Sequence, residues 1–314
     1  MKIYRGTQGI AGRIRRPVVT IGNFDGIHLG HIELFNNIQR KARDIYGETV
    51  VFTFRPHPLR ILSPKLSPPL LTSFKRKIEL IQKAGIDNLI CARFTERFAS
   101  QGPRIFAEQV LVKELNVKEV VVGYDYKFGR GRRGNIQYLQ KMGDEFDFEV
   151  TVLDPVEING EVVSSTSIRK SLEVGEVEEA AKRLGRPYSV EGVVTRGRGI
   201  GGRAGVHTAN ITPPPEILPR VGVYAVRVGV GEIEFDGVSN VGFSPTFHRD
   251  SLMLETHILG FDQDIYGQKI EIKFIHRLRD EIEFGETEAL FKRVKKDIAE
   301  ATFMLKIDRE RRIL

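Results

Sequence analysis

Apolar residues in the first 185 positions fall into two alternating rhythms. Short apolar runs at VVTI (18–21), TVVFTF (49–54), DNLICARF (87–94), KEVVVGYDY (118–126) and FEVTVLDPV (148–156) have the length and β-branched content of buried strands. Between them, IELFNNIQRKARDIYG, FKRKIELIQKAG and PRIFAEQVLVKEL space their apolar residues as amphipathic helices do, the first with Ile32, Leu34, Phe35, Ile38 and Ala42. Strands separated by helices imply a parallel, doubly wound sheet. A last helix is expected over 167–184, ended by Gly185-Arg186-Pro187. Beyond it the period changes. YSVEGVVTRG, GVYAVRVGV, IEFDGVSNVG, LETHILG and QKIEIKFIHRL read as short strands with glycine-bearing turns, as in an antiparallel barrel or sandwich. The chain then reads as a helix over about 287–307, with Leu290, Phe291, Val294, Ile298 and Leu305 on one face. The expected domains are therefore 1–185 and 186–314.

Composition narrows the field. The 314 residues are more than one core usually fills, and 41% hydrophobic with 28% charged residues is ordinary for a globular chain. No apolar run is long enough to span a membrane, and the N-terminus lacks the apolar segment of a signal peptide. The single cysteine, Cys91, excludes a disulfide framework and a thiolate metal cage, so the cytoplasm is the expected location. The net charge of +7 is concentrated in RGRR (130–133) and RGRGIGGR (196–203), which suits nucleic acid or anionic small molecules. No RNA-binding sheet motif or helix-turn-helix accompanies it.

The chemistry begins at NFDGIHLGH (23–31), between a strand and a helix N-terminus, where free N–H groups and the helix dipole favour phosphate. Gly22, Gly26 and Gly30 are spaced by four, so this is neither a dinucleotide fingerprint nor a P-loop. Two histidines three apart, with no third ligand nearby, make a thin zinc site. An H-x-G-H turn can instead donate hydrogen bonds to a phosphate while charge moves onto a leaving pyrophosphate.

GNFDGIHLGH is similar to the H-x-G-H nucleotidyltransferases, and more closely to the FAD synthetase module of bacterial bifunctional riboflavin kinase/FMN adenylyltransferases. TFRPHP (53–58), FTERF (94–98), VGYDYKFGRGRRG (122–134) and SSTSIR (164–169) resemble that family in order and spacing. The resemblance implies that Gly22, Asn23, Phe24, Asp25, Gly26 and Gly30 form the ATP-binding turn, with Asp25 shaping it rather than holding metal. His28 and His31 would stabilise the transition state of adenylyl transfer. Ser164, Ser165, Thr166 and Arg169 would grip phosphate, a role compatible with an ordinary helix cap. Phe54, Pro56, His57 and Pro58 resemble the flavin-side loop, with Asp125 and Phe128 in a second one whose ring stacks on flavin.

The second half resembles the riboflavin kinase module in EGVVTRGRGIGGRAGVHTANI, GVSNVGFSPTF, ETHILGFDQDIYG and LRDEIEF, which implies a barrel. Here Glu255 takes the place of the catalytic base. Thr208 and Asn210 would hold Mg²⁺ and ATP oxygens, and Gly202, Arg203 and Gly205 would wrap the phosphates. Asn240, Thr246 and Arg279 would flank the flavin. The family has proline where this chain has His207, which loosens the free loop by roughly 0.4–1 kcal/mol, too little to abolish catalysis.

The resemblance therefore implies a bifunctional enzyme that converts riboflavin to FMN and FMN to FAD, with ATP as co-substrate and Mg²⁺ as cofactor. No nucleic-acid or membrane partner is expected, and oligomeric state is left open. The rival readings are an adenylyltransferase with a kinase half impaired at His207, a nucleic-acid-binding protein on a nucleotidyltransferase scaffold, and a flavin carrier without chemistry.

Overall fold

The computed structural model describes residues 1–196, 208–211, 216–243, 252–282 and 284–313. The chain divides into two compact units, Met1–Ser164 and Ser165–Leu314.

The first unit has the doubly wound fold expected. Strands β1 (Lys2–Tyr4), β2 (Val18–Ile21), β3 (Thr49–Arg55), β4 (Asn88–Arg93), β5 (Glu119–Gly123) and β6 (Glu149–Leu153) form one parallel sheet in the order β1-β4-β3-β2-β5-β6. The register sets Val18–Thr20 beside Glu119–Val121 on one side of β2 and Val18–Ile21 beside Thr49–Phe52 on the other. From β2 the chain moves outward through β3 and β4, then returns to start β5 on β2's opposite edge. This reversal places a crevice at the carboxyl ends of β2 and β5. NFDGIHLGH follows β2, TFRPHP leaves β3, FTERF follows β4 and VGYDYKFG runs off β5, so four of the five stretches singled out in this half lie at neighbouring strand ends.

Helix α1 (Leu29–Asp44) turns Phe35, Ile38 and Ala42 onto one face of the sheet, with Val51 and Leu89. Its last turn carries Lys41 and Arg43, which suit the negative end of the helix. Helix α3 (Phe74–Lys83) supplies Ile81 to the same layer, and the short helix α2 (Pro58–Leu62) precedes it. Helix α4 (Glu96–Ala99) leads into α5 (Pro103–Ile105), which continues as a π-wound stretch over Phe106–Glu114. With α6 (Ile136–Phe146), that stretch covers the other face through Phe106, Leu111, Leu139 and Met142. A small hairpin of β7 (Glu157–Ile158) and β8 (Glu161–Val162) ends the unit.

The second unit is a closed barrel, which decides between the two architectures left open by the spacing. Strands β9 (Tyr188–Thr195), β10 (Thr208–Ile211), β11 (Gly222–Val230), β12 (Ile233–Phe243), β13 (Leu252–Ile258) and β14 (Lys269–Arg279) run in the order β10-β13-β12-β11-β14-β9, and β10 pairs with β9 to close the ring. Its interior holds Tyr224, Val226, Phe274 and Leu254, and the buried hydroxyls of Ser239 and Thr256 satisfy each other at 2.7 Å. Helix α9 (Thr287–Ile313) runs across the outside, where Ala301 and Leu305 pack on Ala225 and Ile275. It extends past 307 because DRERRI contains no glycine or proline to stop it.

The single helix expected over 167–184 is in fact two, α7 (Ser165–Val174) and α8 (Val177–Leu184). Gly175 separates them at φ +86°, and a Cβ there would come within 2.6 Å of Arg277 Nε, so both conformation and space require glycine. These helices group with the barrel. Glu178 of α8 binds His276 of β14 at 3.0 Å. Partial burial pushes the Glu178 carboxyl up, but the bond from His276 and backbone donors outweigh it and hold the carboxyl below its usual range. A depressed carboxylate contributes stability above its unfolded pKa, about 4.3, and loses it as pH falls through the folded value. Denaturant unfolding at stepped pH should therefore show the gap between the native chain and Glu178→Gln closing on acidification from about pH 5 to about pH 3. A gap constant over that range would remove the pair from the stability account.

Candidate functional site

The turn after β2 is held in an uncommon backbone. Phe24 (φ +48°), Gly26 (φ +88°) and Ile27 (φ +43°) all lie in the left-handed region, which a β-branched residue enters only when its surroundings hold it there. The holding groups are identifiable. Asp25, 2% exposed, accepts from the Leu71 and Thr72 amides at 3.0–3.2 Å and from the Thr72 hydroxyl at 3.3 Å. Thr72 Oγ1 in turn accepts from the Gly26 amide at 2.9 Å. The Asn23 carbonyl accepts from Lys77 Nζ at 2.6 Å and from Thr53 Oγ1 at 3.2 Å. Asp25 is thus tied to Leu71 and Thr72 beneath the turn.

The bent turn delivers the two histidines. His28 is 7% exposed and stands at the N-cap of α1 in extended conformation; its amide donates to His31 Nδ1 at 3.3 Å. The two imidazoles stack with centroids 3.6 Å apart, and Phe24 meets His31 edge-on at 5.1 Å. A Cβ on Gly30 would lie 3.3 Å from the His28 ring and 3.7 Å from the Val163 carbonyl. Gly30 therefore gives the His28 ring its space. Gly22 has an equivalent reason, since a Cβ there would stand 3.0 Å from the Phe24 ring. Ser164 follows Val163 at the end of the first unit, whereas Ser165, Thr166 and Arg169 open α7 in the second, where Arg169 donates to the Ser165 carbonyl at 3.2 Å.

On the β3 side, Phe54 packs among Phe52, Phe94 and Phe98. His57 Nδ1 caps α2 by accepting from the Leu59 amide, with Pro58 at the first helical position. Asp125 is exposed beyond β5. Phe128 is buried: its ring stacks on Tyr126 and touches Phe106 and Tyr138, while its backbone bridges Gly134. The ring therefore props the loop from inside.

In the barrel the register does the assembling. Asn210 pairs with Glu255, Glu255 with Asn240, Asn240 with Val223, and Val223 with Arg279, so five strands place these residues along one rung. Directly paired residues point to the same face. That face opens on a cavity of about 320 Å³. Thr208, Asn240, Glu255, His257 and Arg279 line it on the barrel side, and Phe284 with Leu290, Phe291 and Val294 of α9 on the other. Arg279 is fixed by Asp297, 2% exposed, whose carboxylate accepts from Arg279 Nε at 3.0 and 3.1 Å and from its terminal nitrogen at 2.6 Å. Arg293 Nε completes the cluster on Asp297 at 2.9 Å. Gly202, Arg203, Gly205, His207 and Thr246 lie outside the described residues.

Three participants escape the sequence reading: Lys77, His257 and Asp297. Lys77 and Asp297 share one signal, a charged residue in phase with an apolar helical stripe. Lys77 is four residues before Ile81, and Asp297 three after Val294. His257 is two residues from Glu255 and so on the same strand face.

Residues 12–167 match the FAD synthetase family model and residues 184–305 the riboflavin kinase model. A protein of Haemophilus influenzae, 37% identical over 96% of this chain and 98% of its own, is a bifunctional riboflavin kinase/FMN adenylyltransferase. So is one of Escherichia coli, 35% identical over 95% and 96%. The chain belongs to the bifunctional riboflavin kinase/FMN adenylyltransferase family. As a member it phosphorylates riboflavin to FMN and adenylylates FMN to FAD. The reading of an adenylyltransferase with an impaired kinase half gains no support, since both modules match. The same fold is seen in a crystal structure of a Streptococcus pneumoniae protein described as macrolide-efflux, 31% identical, which superposes with TM-score 0.87 over 96% of this chain and 98% of its own. Among the described residues no helix is long and apolar enough to cross a membrane.

Proposed function

We propose that the two steps are made at two separate centres, adenylyl transfer at the turn after β2 and phosphorylation at the Glu255 rung, with the functional domains spanning 1–185 and 186–314. The observation that carries this reading is the rung itself, which aligns Asn210, Glu255, Asn240 and Arg279 beside one cavity.

In the kinase half the nucleophile is a neutral ribityl hydroxyl, which benefits from a base. Glu255 takes the hydroxyl proton as the oxygen attacks the γ-phosphorus of ATP, leaving FMN and ADP. Asn240 and Arg279 orient the flavin against the apolar wall of α9, and Asp297 holds Arg279 in place. The hydroxyl of Thr208 and the amide oxygen of Asn210 are hard donors on one strand face, a set that fits Mg²⁺. When bound, that ion would neutralise phosphate charge. Gly202, Arg203 and Gly205 complete the ATP loop, and Thr246 contributes to the flavin side.

In the adenylyltransferase half an FMN phosphate oxygen, already anionic, attacks the α-phosphorus of ATP and pyrophosphate leaves. No strong base is needed, and positioning with charge neutralisation carries the rate. Gly22 to Gly30 bring backbone N–H groups to the phosphates, and His28 and His31 donate to the oxygens that gain charge. Ser164, Ser165, Thr166 and Arg169 are further phosphate-binding residues by the family resemblance. Phe54, Pro56, His57, Pro58 and Asp125 form the flavin side, supported from below by Phe128.

The basic segments serve these anionic substrates rather than nucleic acid, and the enzyme works in the cytoplasm. The test is one incubation with riboflavin, ATP and Mg²⁺, with flavins separated over time. FMN should appear first and give way to FAD. FAD from supplied FMN, without any FMN from riboflavin, would overturn the assignment of the barrel.

A further inference from the structure

Lys77 is 6% exposed, and burial pushes its ammonium well below the usual lysine range, with Asp25 acting against that shift. Burying an ammonium is costly, so an aliphatic residue would be the easier occupant of this place beside Ile81 in α3. What the lysine does there is specific. Its Nζ donates to the Asn23 carbonyl at 2.6 Å, immediately before the left-handed residue Phe24, and its charge balances the buried Asp25 carboxylate. Asp25 and Lys77 both act through the segment Leu71–Lys77, which grips the turn from outside the H-x-G-H motif.

We infer that Lys77 is a positioning residue for adenylyl transfer, holding the Asn23 carbonyl so that the turn presents its N–H groups and His28 in the reactive arrangement. The inference rests on the placement of that step at the turn after β2. It assigns Lys77 no contact with substrate. A turn displaced by a fraction of an ångström still binds ATP and FMN but aligns them poorly at the α-phosphorus, so the loss falls on kcat.

The experiment compares Lys77→Met, Lys77→Gln and His28→Ala in the full chain, following FAD formation from FMN and FMN formation from riboflavin separately. Lys77→Met should lower kcat for FAD formation about 10- to 100-fold with both KM values within about threefold. FMN formation, at the other centre, should stay at the native rate and report that the chain is folded. Lys77→Gln, which keeps a neutral donor for the Asn23 carbonyl, should recover part of the loss. Several results would overturn the inference: unchanged FAD formation in Lys77→Met, a rise in KM alone, Gln performing no better than Met, or both activities falling together with the melting temperature. His28→Ala separates this inference from its premise. If His28→Ala leaves FAD formation intact, the placement of the step itself is wrong. If it stops FAD formation while Lys77→Met does not, only the role of Lys77 is lost.

Discussion

Glu255→Gln should lower riboflavin phosphorylation by about 10²- to 10⁴-fold, the usual contribution of a positioned base, while FAD formation from supplied FMN continues at the native rate. Glutamine keeps the volume and one oxygen acceptor of glutamate but cannot take the ribityl proton. Glu255 is exposed on the outer face of β13, so it contributes little packing that the substitution could remove. Its neighbours on the rung, Asn210 and Asn240, are neutral amides that can still hydrogen-bond to the glutamine. The loss should therefore appear in kcat, with riboflavin binding nearly intact. Initial rates of FMN production over a range of riboflavin concentrations decide the matter. A variant within tenfold of the native enzyme would remove Glu255 as the base.

The second large effect is expected at the stacked histidines. His28→Ala should cut adenylyl transfer by about 10²- to 10³-fold, comparable to removing one donor from an oxyanion site. Because the rings lie 3.6 Å apart and the His28 amide is bonded to His31, the pair acts as a unit. The double variant His28→Ala/His31→Ala should therefore fall about as far as the worse single variant, well short of the product of the two losses. Pyrophosphate release from FMN and ATP is the readout, and riboflavin phosphorylation in the same samples controls for folding. Strictly multiplicative losses would show that the two rings act independently.

Much of this was legible from the residues. The two rhythms gave the sheet and the barrel strands because period-2 and period-3.6 patterns report burial directly. What escaped was of three kinds. The strand β1 is three residues long, too short for any period to register. β10 is four residues, TANI, and it coincides with the stretch matched as an ATP loop; its chemistry hid its geometry. Gly175 sits where helical spacing continues on both sides, and only the approach of Arg277, about 100 positions away in the chain, shows why the helix must break. The site was legible in its motifs, yet not in its supports. Lys77 and Asp297 stand among many other charges on their helices, and their burial depends on partners that tertiary folding alone brings near. Phe128 errs the other way, since its motif suggested a ligand-facing ring and the structure buries it among aromatic neighbours.

Helix α9 has two tasks along its length. Leu290, Phe291 and Val294 wall the cavity beside Glu255, and Ala301 and Leu305 cover Ala225 and Ile275 on the barrel. It is also synthesised after every strand it covers. A nascent chain thus holds all of the residues of the turn after β2 while the cavity beside the Glu255 rung still lacks a wall and the outer barrel face is bare. Until α9 is made, that apolar surface is open to a chaperone or to another unfinished chain.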